Sequence, residues 1–142
     1  TVLEAMSAYC CSESVTDDQK EFVNKLCSSF GKVMPLSESY FPLFCSIAGC
    51  APAYAYMFID SLARSAVKNG MNKSVALEIA AQTVLGSAKK ILESDEHPWE
   101  LIDKVCSPGG TTIEGIVSLQ KDGFESAVCN AVDAALQKDK KV

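Results

Sequence analysis

The sequence predicts a mainly α fold that is preceded by a short α/β segment. Of the 142 residues, 48% are hydrophobic and 22% are charged, which provides enough apolar side chain for a folded core. From residue 52 onward apolar side chains recur at helical spacing, whereas before residue 38 two short β-type runs flank one amphipathic helix. The two patterns divide the chain into residues 1–37 and residues 38–142.

Charge and composition exclude several classes of protein. The net charge of −5 argues against a nucleic-acid-binding surface, which needs clustered positive charge, and the basic residues 138–141 are expected to be a solvated helix end. No uninterrupted apolar run is long enough to cross a bilayer, so no membrane segment is expected. One His and seven Cys without C-x-x-C spacing argue against a metal site. The cysteines are expected to be buried, reduced side chains of a cytoplasmic protein.

The first segment is predicted to be a strand–helix–strand unit. Residues 6–10 and 32–36 have the composition of strands. Thr16 and Gln19 fit a capping box at the start of the helix between them, and Gly31 suits the position just after its end. Two strands cannot bury both faces of their own sheet, so the segment is expected to end a doubly wound domain that begins outside this chain.

Two long helices are predicted over residues 52–69 and 73–93, after a short helix that breaks at Pro42 and Gly49. Each long helix has one polar stripe and is apolar on its other faces. A helix that is apolar nearly all round must be buried nearly all round, and one small chain cannot cover two of them. A second subunit is therefore expected to cover them, the alternative being one globular domain that hides both internally.

Three shorter helices are predicted to follow. They run from Pro98 to Cys106, over residues 111–121 and from Phe124 onward. His97 is held extended by the proline after it, and we interpret it as a turn or cap residue rather than a catalyst.

The loop at residues 107–112, Ser-Pro-Gly-Gly-Thr-Thr, is the part of the sequence that suggests chemistry. Gly109 and Gly110 let a ligand approach the backbone, and the free N–H groups of the following helical turn favour an anion. Thr111 and Thr112 add two hydroxyl groups. No Gly-Lys-Ser/Thr is present, so this is not a Walker loop. The alternative is an ordinary connection between helices in which a Thr is the N-cap.

Four motifs occur in a particular order and spacing along the chain. They are Ala51-Pro52-Ala53-Tyr54, residues 82–89, His97-Pro98 and residues 104–113. In this arrangement the chain resembles the C-terminal half of the pyrroline-5-carboxylate reductase family, and the resemblance covers almost the whole chain.

The resemblance implies an oxidoreductase that reduces 1-pyrroline-5-carboxylate to L-proline with NADPH or NADH, in proline biosynthesis. It implies that residues 1–37 end a Rossmann domain, and that residues 38–142 form a helical dimerisation domain whose helices interleave in a homodimer or a higher oligomer. The cofactor, NADP or NAD, would bind mainly to the N-terminal domain, since G-x-G-x-x-G is absent from this sequence. The chain alone is therefore expected to be inactive. The alternative is a non-catalytic, reductase-like module that dimerises and binds a small carboxylate.

The resemblance also implies a set of site residues. Thr112 is the candidate catalytic residue, because the matching threonine of the family lies near the ring nitrogen of the substrate. Lys104 is a candidate contact to the nicotinamide nucleotide. The remaining candidates bind substrate, and together with Thr112 they are Glu38, Gly109, Gly110 and Thr111.

Overall fold

A computed structural model describes residues 2–139 of the chain. The predicted mainly α fold with an α/β opening is confirmed. Of the predicted basic end, Lys140 and Lys141 lie outside the described residues. The elements in chain order are β1 (Ala5–Tyr9), α1 (Asp17–Ser28), β2 (Gly31–Pro35), a 3-10 turn (Glu38–Tyr40), α2 (Phe41–Phe44), a π-helical segment (Cys45–Cys50), α3 (Ala51–Lys68), α4 (Lys73–Leu92), α5 (Pro98–Val105), α6 (Thr111–Lys121) and α7 (Phe124–Asp139).

The opening forms a two-stranded parallel sheet with α1 as the connection between its strands. β1 pairs with β2 from Ala5 opposite Gly31 to Tyr9 opposite Pro35. α1 begins at the predicted capping box, in which the Thr16 hydroxyl accepts from the Gln19 N–H and the Gln19 side chain accepts from the Thr16 N–H. The strand–helix–strand prediction is confirmed, with each strand starting one residue earlier than predicted.

Gly31 has a different role from the predicted one. α1 ends at Ser28 with Ser29 as its C-cap, and Gly31 is the first residue of β2. A Cβ atom on Gly31 would lie 2.1 Å from the carbonyl oxygen of Ala5. The close approach of the paired strand, not the end of the helix, therefore requires glycine at this position.

The predicted break at Pro42 and Gly49 is wrong. The 3-10 turn, α2, the π-helical segment and α3 follow one another without interruption from Glu38 to Lys68. Pro42 lies in the first turn of α2, where a backbone N–H has no helical partner, and Gly49 lies within the π-helical segment. Among residues 2–139 this is the one helix long and apolar enough to cross a membrane, judged by length and composition.

The described residues form two compact units, one of residues up to 51 with those from 132 onward, the other of residues 52–131. In the second unit the buried core is small and consists of alanines, with Ile59 and Ala66 packed against it. α4 begins at the predicted N-cap, Asn72, whose side chain accepts from the Ser74 N–H. The buried residues are Ala63, Ala76 and Ala80.

Most large apolar side chains of α3 and α4 are exposed in the single chain. The alternative of one domain that hides both helices internally does not describe this chain, because the faces of both helices remain open to solvent. The exposed fractions of four of these side chains are 70% for Tyr56, 69% for Met57, 52% for Ile79 and 57% for Leu85.

The cysteines are less buried than predicted. All seven thiols are free, five are exposed, and only Cys27 and Cys106 are half-buried. The prediction assumed that the apolar helix faces carrying cysteines are covered, and a single chain does not cover them. Within residues 2–139 no three His, Cys, Asp or Glu side chains come together in a group that could hold a metal ion.

Candidate functional site

The loop between α5 and α6 is a tight β-turn. The N–H of Gly110 donates to the carbonyl oxygen of Ser107 at 2.9 Å, which closes the turn. Pro108 occupies its second position, and Gly109 occupies its third with a φ of +67°. A positive φ at the third position is typical of a type II turn, which favours Pro-Gly at its centre. The sequence Ser-Pro-Gly-Gly thus fixes the direction in which the chain enters α6.

Gly110 is the N-cap of α6, so the predicted alternative of a Thr N-cap is wrong. A Cβ atom on Gly110 would lie 2.3 Å from Ser107 Oγ and 3.1 Å from the Ser107 carbonyl oxygen. No side chain caps this helix end. The N–H groups of its first turn therefore have no side-chain acceptor among residues 2–139.

The start of α6 combines several groups that can bind an anion. Thr111 and Thr112 are exposed and carry hydroxyl groups next to the uncapped N–H groups. The helix dipole adds partial positive charge at the same end. Together these groups suit a single carboxylate or phosphate, while the hydroxyls remain able to contact a second polar atom of the ligand.

A cap on α5 holds the chain that leads into the turn. The backbone N–H of Trp99 donates to Nδ1 of His97 at 3.2 Å, and the backbone N–H of His97 donates to Oε2 of Glu100 at 3.1 Å. The interpretation of His97 as a cap residue is confirmed, and Pro98 occupies the first position of the helix. The imidazole of the only His in the sequence is thus part of the scaffold of α5.

Lys104, the predicted nucleotide contact, is paired with a carboxylate in this structure. Its ammonium group donates to Glu96, and the Nζ of Lys90 lies 3.8 Å from the same carboxyl group. Glu96 therefore links the end of α4 to the end of α5. Helical spacing does not indicate this pair, because its partners are eight residues apart and Glu96 lies in the loop before α5, outside the helix that carries Lys104.

Glu38 lies in the first unit, at the carboxyl end of β2, whereas Gly109, Gly110, Thr111 and Thr112 lie together in the second unit. It lines a cleft of about 770 Å³ where the two parallel strands end. Open α/β sheets bind ligands at this edge. Sequence reasoning missed three other residues of the cleft, although two of them stand at the end of the predicted first strand, one as its last residue and one directly after it. They are Cys10, Cys11 and Lys20.

Lys20 is the cation in this cleft. Its Nζ donates to Oδ1 of Asp17 at 2.9 Å. This hydrogen bond and the attraction between the two charges hold the pKa of Lys20 above its usual value, and Cys11 adds a smaller contribution. The same hydrogen bond lowers the pKa of Asp17. Both groups therefore remain charged near neutral pH.

A second cavity, of about 470 Å³, lies in the second unit between α3 and α7, and its lining is mainly apolar. The Tyr54 hydroxyl donates to the Ala131 carbonyl oxygen at 3.3 Å, and the rings of Phe58 and Phe124 lie 5.9 Å apart. A lining with so few polar groups suits apolar side chains better than a charged ligand.

The comparison with known families decides what this arrangement belongs to. Residues 38–142 match the family model described as pyrroline-5-carboxylate reductase dimerisation. The chain belongs to this family. The resemblance read from the Ser-Pro-Gly-Gly-Thr-Thr loop and the other motifs is thereby confirmed, and the family match contains the whole type II turn and the start of α6.

Curated relatives and solved structures of the family agree with this assignment. The pyrroline-5-carboxylate reductase of Escherichia coli strain K12 is 41% identical over 128 residues, which cover 90% of this chain and 48% of the relative. The crystal structure of 1-pyrroline-5-carboxylate reductase from Streptococcus pyogenes matches with a TM-score of 0.92 and 41% identity, over 99% of this chain and 54% of that one.

A third comparison is a reductase structure with a bound nucleotide. The Plasmodium falciparum pyrroline carboxylate reductase, crystallised with NADP bound, matches with a TM-score of 0.87 and 38% identity, over 95% of this chain and 52% of that chain. The chain spans about half the length of the curated relatives it matches.

Proposed function

We propose that this chain is the substrate-binding and dimerisation half of a pyrroline-5-carboxylate reductase, which reduces 1-pyrroline-5-carboxylate to L-proline. The observation that carries the proposal is the start of α6, where a type II turn, an uncapped helix end and two exposed threonine hydroxyls come together. This set of groups matches a small ligand that has one carboxylate and one ring nitrogen. Membership of the reductase family selects the substrate.

The roles proposed for the turn residues are those that the family resemblance implies, and the geometry of the turn is compatible with them. The N–H groups at the start of α6, reached over Gly109 and Gly110, bind the substrate carboxylate, with Thr111 beside them. The hydroxyl of Thr112 forms a hydrogen bond with the ring nitrogen. Both contacts fix the C=N bond in one orientation, so the chain contributes positioning and electrostatic stabilisation to the reaction. NADPH or NADH, when bound, supplies the hydride.

Residues 1–37 are proposed to end a nucleotide-binding domain, and residues 38–142 to form the helical domain. The parallel pair of β1 and β2 and the cleft at their carboxyl ends fit a nucleotide, because such sheets bind nucleotides at that edge, and Lys20 supplies a cation there. Glu38 keeps its assignment as a substrate-binding residue on the resemblance alone. Lys104 keeps its assignment to the nucleotide on the same ground, and it would have to exchange Glu96 for that ligand.

A second copy of the chain is proposed as the partner, in a homodimer or a higher oligomer. Only 6% of the most apolar stretch of the helix from Glu38 to Lys68 is buried within one chain. An apolar surface of this kind is rare on a monomer. We propose a second subunit, not a bilayer, as its cover, because Asp60, Arg64 and Lys68 form a charged stripe along the same helix. Seven free thiols support a cytoplasmic location.

The test is steady-state kinetics on this chain joined to a complete nucleotide-binding domain. Thr112→Ala removes the contact to the ring nitrogen and leaves the carboxylate contacts in place, so kcat/KM is expected to fall by about 10- to 1000-fold. Thr112→Ser keeps a hydroxyl and is expected to stay close to wild type. Gly110→Val is expected to weaken substrate binding more strongly, because its side chain would meet Ser107 and close the approach to the backbone.

Circular dichroism of each variant separates a loss of function from a loss of fold. The 142-residue chain alone is the blank, for which no oxidation of NADPH or NADH is expected. If Thr112→Ala kept the wild-type kcat/KM, the role assigned to Thr112 would be wrong. Turnover by the chain alone would show that the cofactor site is misplaced.

A further inference from the structure

Cys10 and Cys11 follow β1 directly, and both thiols are free and exposed. They are the only two consecutive cysteines in the sequence. Both line the cleft at the carboxyl ends of the strands, and the function proposed above uses neither. We infer that Cys10 and Cys11 form a dithiol site that binds soft trivalent arsenic, supplied as arsenite or as an organic arsenoxide.

The position of the two residues in the chain allows both sulfurs to reach one ligand atom. Consecutive side chains of a strand point to opposite faces of the sheet, which would separate the two thiols. β1, however, ends at Tyr9, and α1 begins only at Asp17. Cys10 and Cys11 lie in this connection, outside any helix or strand, so neither side chain is held to one face of the sheet.

The thiols of Cys10 and Cys11 also suit a soft ligand by their chemistry. Sulfur ligands also select soft ions over the hard cations that prefer oxygen.

The binding step needs no oxidant or reductant. An arsenoxide carries arsenic bound to oxygen, and each thiol replaces one arsenic–oxygen bond with an arsenic–sulfur bond. The two thiol protons leave with the oxygen as one molecule of water, and the arsenic stays trivalent. After the first bond has formed, the second forms within the same molecule, which raises the affinity about 100-fold over a single thiol.

The other cysteines provide a matched control. Cys45 and Cys50 are also exposed, but they stand at the two ends of the π-helical segment, where the helix fixes their backbone. The remaining three cysteines have no cysteine next to them in the sequence. Cys10 and Cys11 are therefore the pair that combines exposure, adjacency and freedom of the backbone.

The experiment titrates the 142-residue chain with phenylarsine oxide and follows intact mass and free thiols. One phenylarsenic group per chain and the loss of two thiols are expected, with peptide mapping placing both on Cys10 and Cys11. Such an adduct should survive the monothiol 2-mercaptoethanol and be released by 2,3-dimercaptopropanol. Cys10→Ser and Cys11→Ser should each weaken binding about 100-fold, whereas the double variant Cys45→Ser with Cys50→Ser should bind like wild type.

Two results would overturn the inference: unchanged affinity in Cys10→Ser or Cys11→Ser, or an adduct that maps to other cysteines. Far-UV circular dichroism confirms that the serine variants are folded, which is expected for exposed positions. No turnover is measured, so the outcome is independent of the proposed reductase function.

Discussion

At the scale of single residues, the space around Gly110 distinguishes a constrained glycine from a tolerant one. Gly110→Ala is expected to destabilise the chain by about 1 kcal/mol, since the new Cβ would displace the Ser107 hydroxyl and lie 3.1 Å from the Ser107 carbonyl oxygen, and since alanine is a poor N-cap. Gly115 lies inside α6 with no atom within 4 Å of a Cβ position, so Gly115→Ala should stabilise the chain by about 0.5–1 kcal/mol. Urea unfolding measures both, and equal effects of the two variants would show that the turn is not tightly packed.

Residue roles could be predicted from the sequence where they depend on close neighbours in the chain. The Thr16 capping box and the His97 cap depend on partners within three residues, and short sequence patterns reveal such contacts. The pair of Lys104 with Glu96 was missed because Glu96 lies in the loop before α5, where helical spacing does not apply. Gly31 was misread for a similar reason, since the backbone that crowds it belongs to β1.

At the scale of elements, the N-cap of α5 stabilises the helix that leads into the Ser107–Gly110 turn. His97→Ala removes the acceptor of the Trp99 N–H, and about 1 kcal/mol of stability should be lost. His97→Asn supplies an oxygen acceptor that suits an N-cap and should retain most of it. Thermal unfolding of the two variants checks this expectation. Equal losses in both would mean that the imidazole stabilises the chain by packing instead of by capping.

The elements themselves were largely predictable, apart from the region around Pro42 and Gly49. Helical spacing of apolar residues located both ends of α1 and of α3 to α6, and the start of α7, within one or two residues. The break was predicted from residue type alone. A proline in a first helical turn costs no hydrogen bond, so Pro42 does not interrupt the helix. Gly49 lies in a π-helical segment, and whether such a segment forms depends on packing, which the local sequence does not report.

At the scale of the whole molecule, the sequence predicts that there is more apolar surface than one chain can cover, but not which side chains are covered. The apolar excess of α3 and α4 is visible in the sequence, and the structure shows it as exposed side chains above a small core of alanines. The prediction that the cysteines are buried is wrong. Tertiary contacts decide which helix faces one chain covers, and the sequence pattern does not show those contacts. The anion-binding loop was predicted from its residue types, while its type II geometry became visible only in the folded chain.

A second copy of this chain is proposed to cover the exposed faces of α3 and α4. Sedimentation equilibrium at micromolar concentration tests it most directly, because it reports the mass of the assembly in solution. A species of twice the 15.2 kDa chain mass, or of a larger multiple, is expected. A folded, monodisperse monomer of 15.2 kDa would contradict it, since that chain would keep these apolar faces in water without a partner.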